Sequence, residues 1–154
     1  MTLREIQNFI AERINSDGEL SAAGVRAFAE DRGDRFKDVN QTIARLGIVV
    51  IVSMPKWTAR SSAAKGAVGT GTVQVDVCEV VATNRAKAGH MHGFDVAERI
   101  SYLLNMEAPG PGASVLVAQS ITPGVNEDGT GVVYSIPFNF EHHLKAPTAP
   151  ATGE

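Results

Sequence analysis

The stretch that most constrains the fold is Gly71–Arg85, GTVQVDVCEVVATNR. Val73, Val75 and Val77 alternate with Gln74 and Asp76, a period of two that gives an extended chain one apolar and one polar face. Val and Thr suit such a pleated, half-buried surface. Past Cys78 the alternation slips. Val80 and Val81 are adjacent, so the far end is expected either to be covered on both faces or to be kinked by a bulge. Asn84-Arg85 is expected to lead out into a polar loop.

The elements on either side follow from their own periods. Thr2 and Glu5 fit a capping box, and Leu3, Ile6, Ile10 and Ile14 recur at helical spacing up to Ser16-Asp17-Gly18. Between Gly18 and Lys37 the pattern is weaker. Ser21 is read as the cap of a short helix through Val25, Phe28 and Ala29, and Glu30–Arg35 as a solvated charge run. Asp38 is read as the cap of a helix that carries Val39, Ile43 and Leu46 and stops at Gly47. Ile48–Val52 is apolar throughout, as expected of a strand covered on both faces, and Pro55 ends it. Lys56–Thr70 reads as one long loop, with Lys56, Arg60 and Lys65 and no acid. Ala86–Gly93 is a loop. Phe94–Leu104 is an amphipathic helix with Val96, Ala97, Ile100, Leu103 and Leu104 on its apolar face, terminated by Pro109–Gly112. Val115–Thr122 reads as a strand and Pro123–Gly131 as a turn. In Val132–Glu141, Val132, Tyr134, Ile136, Phe138 and Phe140 face one way; Pro137 cannot donate to a ladder and so predicts an edge or a bulge.

This order predicts an α+β fold: a mixed or antiparallel sheet of about four strands with two main helices packed on one face. At 154 residues and 44% hydrophobic content the chain is expected to form one domain over residues 1–144. The Pro/Ala/Thr tail 145–154 is expected to be disordered. The net charge of −3 supplies no global attraction to nucleic acid. The single cysteine excludes an intrachain disulfide. The charged opening MTLREIQNFI does not read as a secretory signal, and no apolar run approaches the roughly 20 residues that span a bilayer.

Residues that could carry chemistry are few. His90 and His92 form an HxH pair that could place two imidazoles on a metal. A third ligand would have to come from Asp95, Glu98, His142 or His143 through the tertiary fold, so a solvated loop pair is preferred. Cys78 lacks the neighbours of a catalytic thiol and reads as a buried or half-buried structural one. Gly66, Gly69 and Gly71 match neither phosphate-binding glycine motif, and they precede a strand where a phosphate loop precedes a helix. Asn126–Gly129 has acids without EF-hand spacing. No catalytic, cofactor-binding or metal residues are expected, which favours a structural or interaction role.

The sequence IARLGIVVIVSMP, a polar loop, VQVDVCEVVATNR, the helix VAERISYLL and a long final hairpin succeed one another. In that order the chain resembles the tail-terminator or tail-completion (minor tail) proteins of tailed bacteriophages, over roughly Asp38 to Leu144. The recurring strand pattern is matched by Val73, Val75, Val77, Glu79, Asn84 and Arg85, and the helix behind it by Ala97, Ile100, Leu103 and Leu104. The resemblance implies a non-enzymatic virion protein, assembled in the host cytoplasm without a membrane. It implies a ring of about six copies that caps the tail tube, ends its polymerisation and gives the head–tail connector protein a docking surface. Its partners would be its own copies, the tail tube protein, the connector and DNA passing through the lumen. The final strand's edge and the Lys56–Thr70 loop are the expected contacts, with Lys56, Arg60, Lys65, Arg85, Pro137 and Asn139 as candidate interface residues. Arg60 and Lys65 are the cations that would face acidic tube subunits or the DNA path. The alternatives are another head–tail joining protein or, in a different class, a metal-binding enzyme using His90 and His92.

Overall fold

A computed structural model describes residues 1–31, 35–60, 67–126 and 129–144. Lys65, part of the 30–35 charge run, Glu127-Asp128 and the tail from Lys145 lie outside the described residues. In chain order the elements are α1 (Leu3–Asn15), α2 (Gly18–Ala22), β1 (Ala27–Ala29), α3 (Arg35–Leu46), β2 (Ile48–Val52), β3 (Lys56–Ala59), β4 (Val68–Val80), α4 (Val81–Ala86), α5 (Gly93–Leu104), β5 (Val117–Ala118), β6 (Thr122–Val125) and β7 (Gly131–His143). The fold is α+β.

The sheet is built on the β4–β7 pair, antiparallel from Val68↔His143 to Val80↔Gly131. At about 3.4 Å per residue, these 13-residue strands form a ribbon of roughly 44 Å. The path runs β1-β2-β4-β7-β5, with β3 on β4 beyond the end of β2 and β6 on β7 beyond β5. Only β1 and β2 are parallel. Seven strands therefore stand where about four were expected. The additional strands are β1, β3 and β6; β1 and β3 have three and four residues, too few to display a period. Thr122-Pro-Gly-Val125 has turn composition, yet it pairs with Val132–Ser135.

Helices α1 and α5 pack on one face of the sheet, as the heptad-like spacing of their isoleucines and leucines requires. Ile6, Ile10, Ile14, Val96, Ile100 and Leu104 meet Val73, Val75, Val77, Ile136 and Phe138 in the core. The Thr2 capping box is formed in both directions. On β1 and β2, Ala27 and Val50 face this core; Phe28 and Ile51 project from the other side. There α3 packs against β2, and Phe28 of β1 shares a cavity with Asp38, Thr42 and Arg45. So helices cover both faces at the β1–β2 end, which accounts for the unbroken apolar run in β2. Over β4 and β7 the second face carries Thr72, Gln74, Asp76, Ser135 and Asn139, none of them fully buried.

Several sequence expectations are corrected. Asp17, not Ser21, caps α2, by accepting from Leu20 N. Residues 27–29 are a strand, not helix. Asn15 holds the outer side of that strand by bonding both Ala27 N and Ala27 O, at 2.8 and 2.9 Å, so α1 blocks this sheet edge. Asp38 lies inside the first turn of α3. The Lys56–Thr70 stretch is no continuous loop: β3 and the start of β4 occupy its ends, paired Lys56↔Thr72 to Ala59↔Gly69. The slip at Val80-Val81 is neither bulge nor double coverage; β4 ends there and α4 begins. Helix α5 stops at Leu104, before Pro109, and within Val115–Thr122 only Val117, Ala118 and Thr122 are strand.

The prediction from Pro137 also needs correction. β7 is an inner strand, paired with β4 throughout and with β5 and β6 on its outer side. That outer side is interrupted between Ala118↔Phe138 and Thr122↔Ser135. Pro137 O accepts from Gln119 N at 3.0 Å. A strand residue sends its N–H and C=O to the same side, so the missing donor faces the interruption and no ladder bond is lost.

Candidate functional site

The far end of the ribbon gives a packing role to Gly69 and Gly71, two of the glycines that match neither phosphate-binding motif. A Cβ on Gly69 would lie 2.3 Å from the Trp57 ring, and one on Gly71 would lie 2.2 Å from Phe140. The two glycines make room for aromatic rings laid across the strands. Trp57 Nε1 donates to His142 O at 3.2 Å, and His142 meets Phe140 edge-on. The His142 side chain is buried, its Nδ1 has no hydrogen-bond partner, and burial foremost lowers its pKa from the ordinary 6.5. The folded state thus holds the neutral ring while the unfolded chain takes up the proton. The contribution is fully present above about pH 6.5 and is lost as the pH falls below that value toward the folded pKa. Urea midpoints measured between about pH 7.5 and 5 should therefore decline more steeply for the parent chain than for His142→Phe; parallel curves would show that His142 does not titrate with folding.

Three of the candidate interface residues, Lys56, Arg60 and Asn139, gather at this end on the second sheet face, and Pro137 lies on the same face at the middle of the ribbon. The register Lys56↔Thr72↔Asn139↔Val117 forms one row across β3, β4, β7 and β5. Pro137 lies in the next row, opposite Gln74. Asn139 Oδ1 accepts from Thr72 Oγ1 at 3.0 Å. Arg60 pairs with Glu141, both more than half exposed, an ion pair worth about 0–1 kcal/mol. Lys56 is exposed.

Arg85 is elsewhere, at the opposite end of β4, in a cluster that sequence reasoning did not assemble. Glu79 follows Val73, Val75 and Val77 onto the core face and is 1% exposed. Asn84, on α4, is fully buried and donates Nδ2 to Glu79 Oε2 at 2.6 Å and to Met91 O at 3.0 Å. Arg85 Nη2 lies 3.5 Å from Glu79 Oε1. That oxygen and Asn84 Oδ1 have no hydrogen bond. Gly93 admits the cluster: a Cβ there would come within 2.8 Å of Glu79 Oε1 and 2.7 Å of the Tyr134 ring. Burial and the Glu79 carboxylate raise the Tyr134 pKa. The E-x-x-x-x-N-R pattern is thus a clasp. It turns the strand into α4 and ties the following loop to the sheet.

His92 Nδ1 is 3.5 Å from the Arg85 guanidinium, and His90 Nδ1 is 3.2 Å from Lys87 O. Among the described residues no three His, Cys, Asp or Glu side chains converge on a metal position. Cys78 is half-buried; burial and the Asp76 carboxylate push its thiol up to about 11, which leaves little thiolate at neutral pH. No helix among the described residues is long and apolar enough to cross a membrane.

The same architecture occurs in a solved particle described as the virion of a native gene transfer agent (GTA). One of its chains superposes with a TM-score of 0.63 and 13% sequence identity, over 90% of this chain and 94% of that one. The likeness is one of fold. No family model matches the sequence, and no curated protein matches it.

Proposed function

We propose that this chain is a structural virion protein of a phage-like particle. In the finer reading, about six copies close a ring on the end of the tail tube, stop its growth and present a surface to the head–tail connector. The observation that carries the coarse reading is the fold shared with a gene transfer agent virion chain over nearly the full length of both. The strand and helix patterns that resemble tail terminators support the finer one. A ring needs a heterologous contact, one patch meeting a different patch. The β1 edge is held by Asn15 and the middle of β7 is flanked by β5 and β6, so the final strand's edge is not the contact. Lys56, Arg60, Pro137 and Asn139, together on the open sheet face, are assigned to the tube, the connector or the DNA path. Arg85 serves the Glu79 clasp first.

The test is light scattering of the purified full chain across concentration and salt, with electron microscopy of the same fractions alone and after mixing with tail tubes. Closed rings, free or on tube ends, are the expected result. A chain that stays monomeric and leaves tube ends bare would overturn the ring reading. Labelled protein found at the neck but away from the tube end would assign it to another head–tail joining position.

A further inference from the structure

Two grooves on different sides of the molecule carry opposite charge. The first, a cavity of about 500 Å³, lies between β1 and α3, on the sheet face opposite α5. Its aromatic wall is Phe28, with the Arg26 guanidinium 5.8 Å from the ring centroid. Arg45 comes from α3, and Thr42, itself 8% exposed, lines the cavity between them. None of the ion pairs among the described residues uses Arg26 or Arg45. Asp38 at the same cavity offsets one of the two charges and leaves an excess of one among the described lining residues.

The second groove, of about 450 Å³, is bounded by Glu19 of α2 and by α5. The one cation among its described lining residues is already engaged: Arg99 lies 2.8 Å from Asp17 and 3.1 Å from Glu19. Asp95 and Glu98 have no such partner among the described residues. Beside them on α5 Tyr102 is 79% exposed; Met106, past the end of the helix, is 63% exposed. Met106 holds a φ of 65°, a left-handed conformation that a glycine would take at lower cost. An exposed aromatic ring on α5, flanked by Asp95 and Glu98, is a surface that a partner of positive charge would cover.

We propose that these grooves meet head to tail between copies of this chain. Tyr102 of one copy enters the cavity of the next and packs against Phe28 and the Arg26 guanidinium, while Glu98 and Asp95 reach Arg45 and Arg26. This rests on the ring reading above and names its contact. Three features favour a second copy as occupant. The two grooves are complementary in charge. One is a cavity and the other carries a projecting ring. They lie on different sides of the protomer, as a heterologous contact requires. Tyr and Arg are also the residues that dominate well-packed interfaces, and a guanidinium over an aromatic face adds attraction once water is excluded.

The test uses the full chain in sedimentation velocity and electron microscopy, with Arg45→Glu, Glu98→Arg, the double variant and Tyr102→Ala. All these positions are on the surface, and circular dichroism checks that each variant is folded. Each charge reversal should weaken the contact by roughly 100-fold, the double variant should recover most of that loss, and Tyr102→Ala should lose at least about tenfold. Rings unaffected by the single reversals, or a double variant as weak as the singles, would overturn this contact and leave the ring reading standing. Tyr102→Ala that closes rings but no longer engages tail tubes would give the surface to the tube and overturn the proposal as well. A parent chain that forms no ring, alone or on tubes, would sink both.

Discussion

Asn84→Ala is expected to lower the unfolding free energy by about 2–4 kcal/mol. The side chain touches nothing outside the protein, so the effect comes from the groups it abandons. Among the described residues its amide is the only hydrogen-bond donor to Glu79 Oε2, and it also holds Met91 O. The other Glu79 oxygen already lacks a hydrogen bond and has only Arg85 beside it, at 3.5 Å. Removing Asn84 strands most of a buried carboxylate in a pocket closed by Gly93 and Tyr134. Equilibrium denaturation in urea measures the loss. Adding Glu79→Gln to the alanine variant should recover part of it, because the neutral amide is cheaper to bury unpaired. Local opening should appear first as faster hydrogen exchange in residues 81–93, which the clasp joins to the sheet. A loss under about 0.5 kcal/mol would mean that water or another donor replaces the amide readily.

The parts of the fold that were legible in the sequence are those where one period persists. The isoleucine stripe of α1, the apolar face of α5 and the alternation in β7 each persist over nine or more residues, and each stands where it was read, as does the Thr2 capping box. The parts that were not legible are set by tertiary contacts. β1 is a strand because Asn15 and β2 flank it, and nothing in Ala27-Phe28-Ala29 says so. Trp57 and Phe140 fix Gly69 and Gly71 from distant positions in the chain. The candidate surface was legible in fragments. Lys56 and Asn139 were singled out, but only the register shows that they share a row. The clasp had a signal in the E-x-x-x-x-N-R spacing itself: a Glu that continues the Val73–Val77 face must enter the core, and a core carboxylate needs nearby donors. Tyr102 gave no signal, since the exposure of an aromatic ring on an amphipathic helix is visible only once its neighbours are placed.

Phe138→Ala should be the most destabilising single change of a β7 residue, at about 3–5 kcal/mol, and Pro137→Ala, one residue away, should cost less than about 1 kcal/mol. The contrast follows from which side of the sheet each residue faces. Phe138 has no exposure and lies within the core cluster with Ile100, Leu104 and Val73. Its ring is held between a helix and a long strand pair, two elements that cannot easily close over the space it leaves. Pro137 points to the open face, half-buried, and its nitrogen faces the gap between β5 and β6, so a restored N–H meets no steric or bonding conflict. What is lost is mainly the restraint that proline places on the unfolded chain. Urea denaturation of the two variants measures both. Equal losses would mean that the second face is packed as tightly as the first. With the expected outcome, Pro137→Ala keeps its fold, and any failure to dock on tail tubes or on the connector can then be assigned to the open face itself.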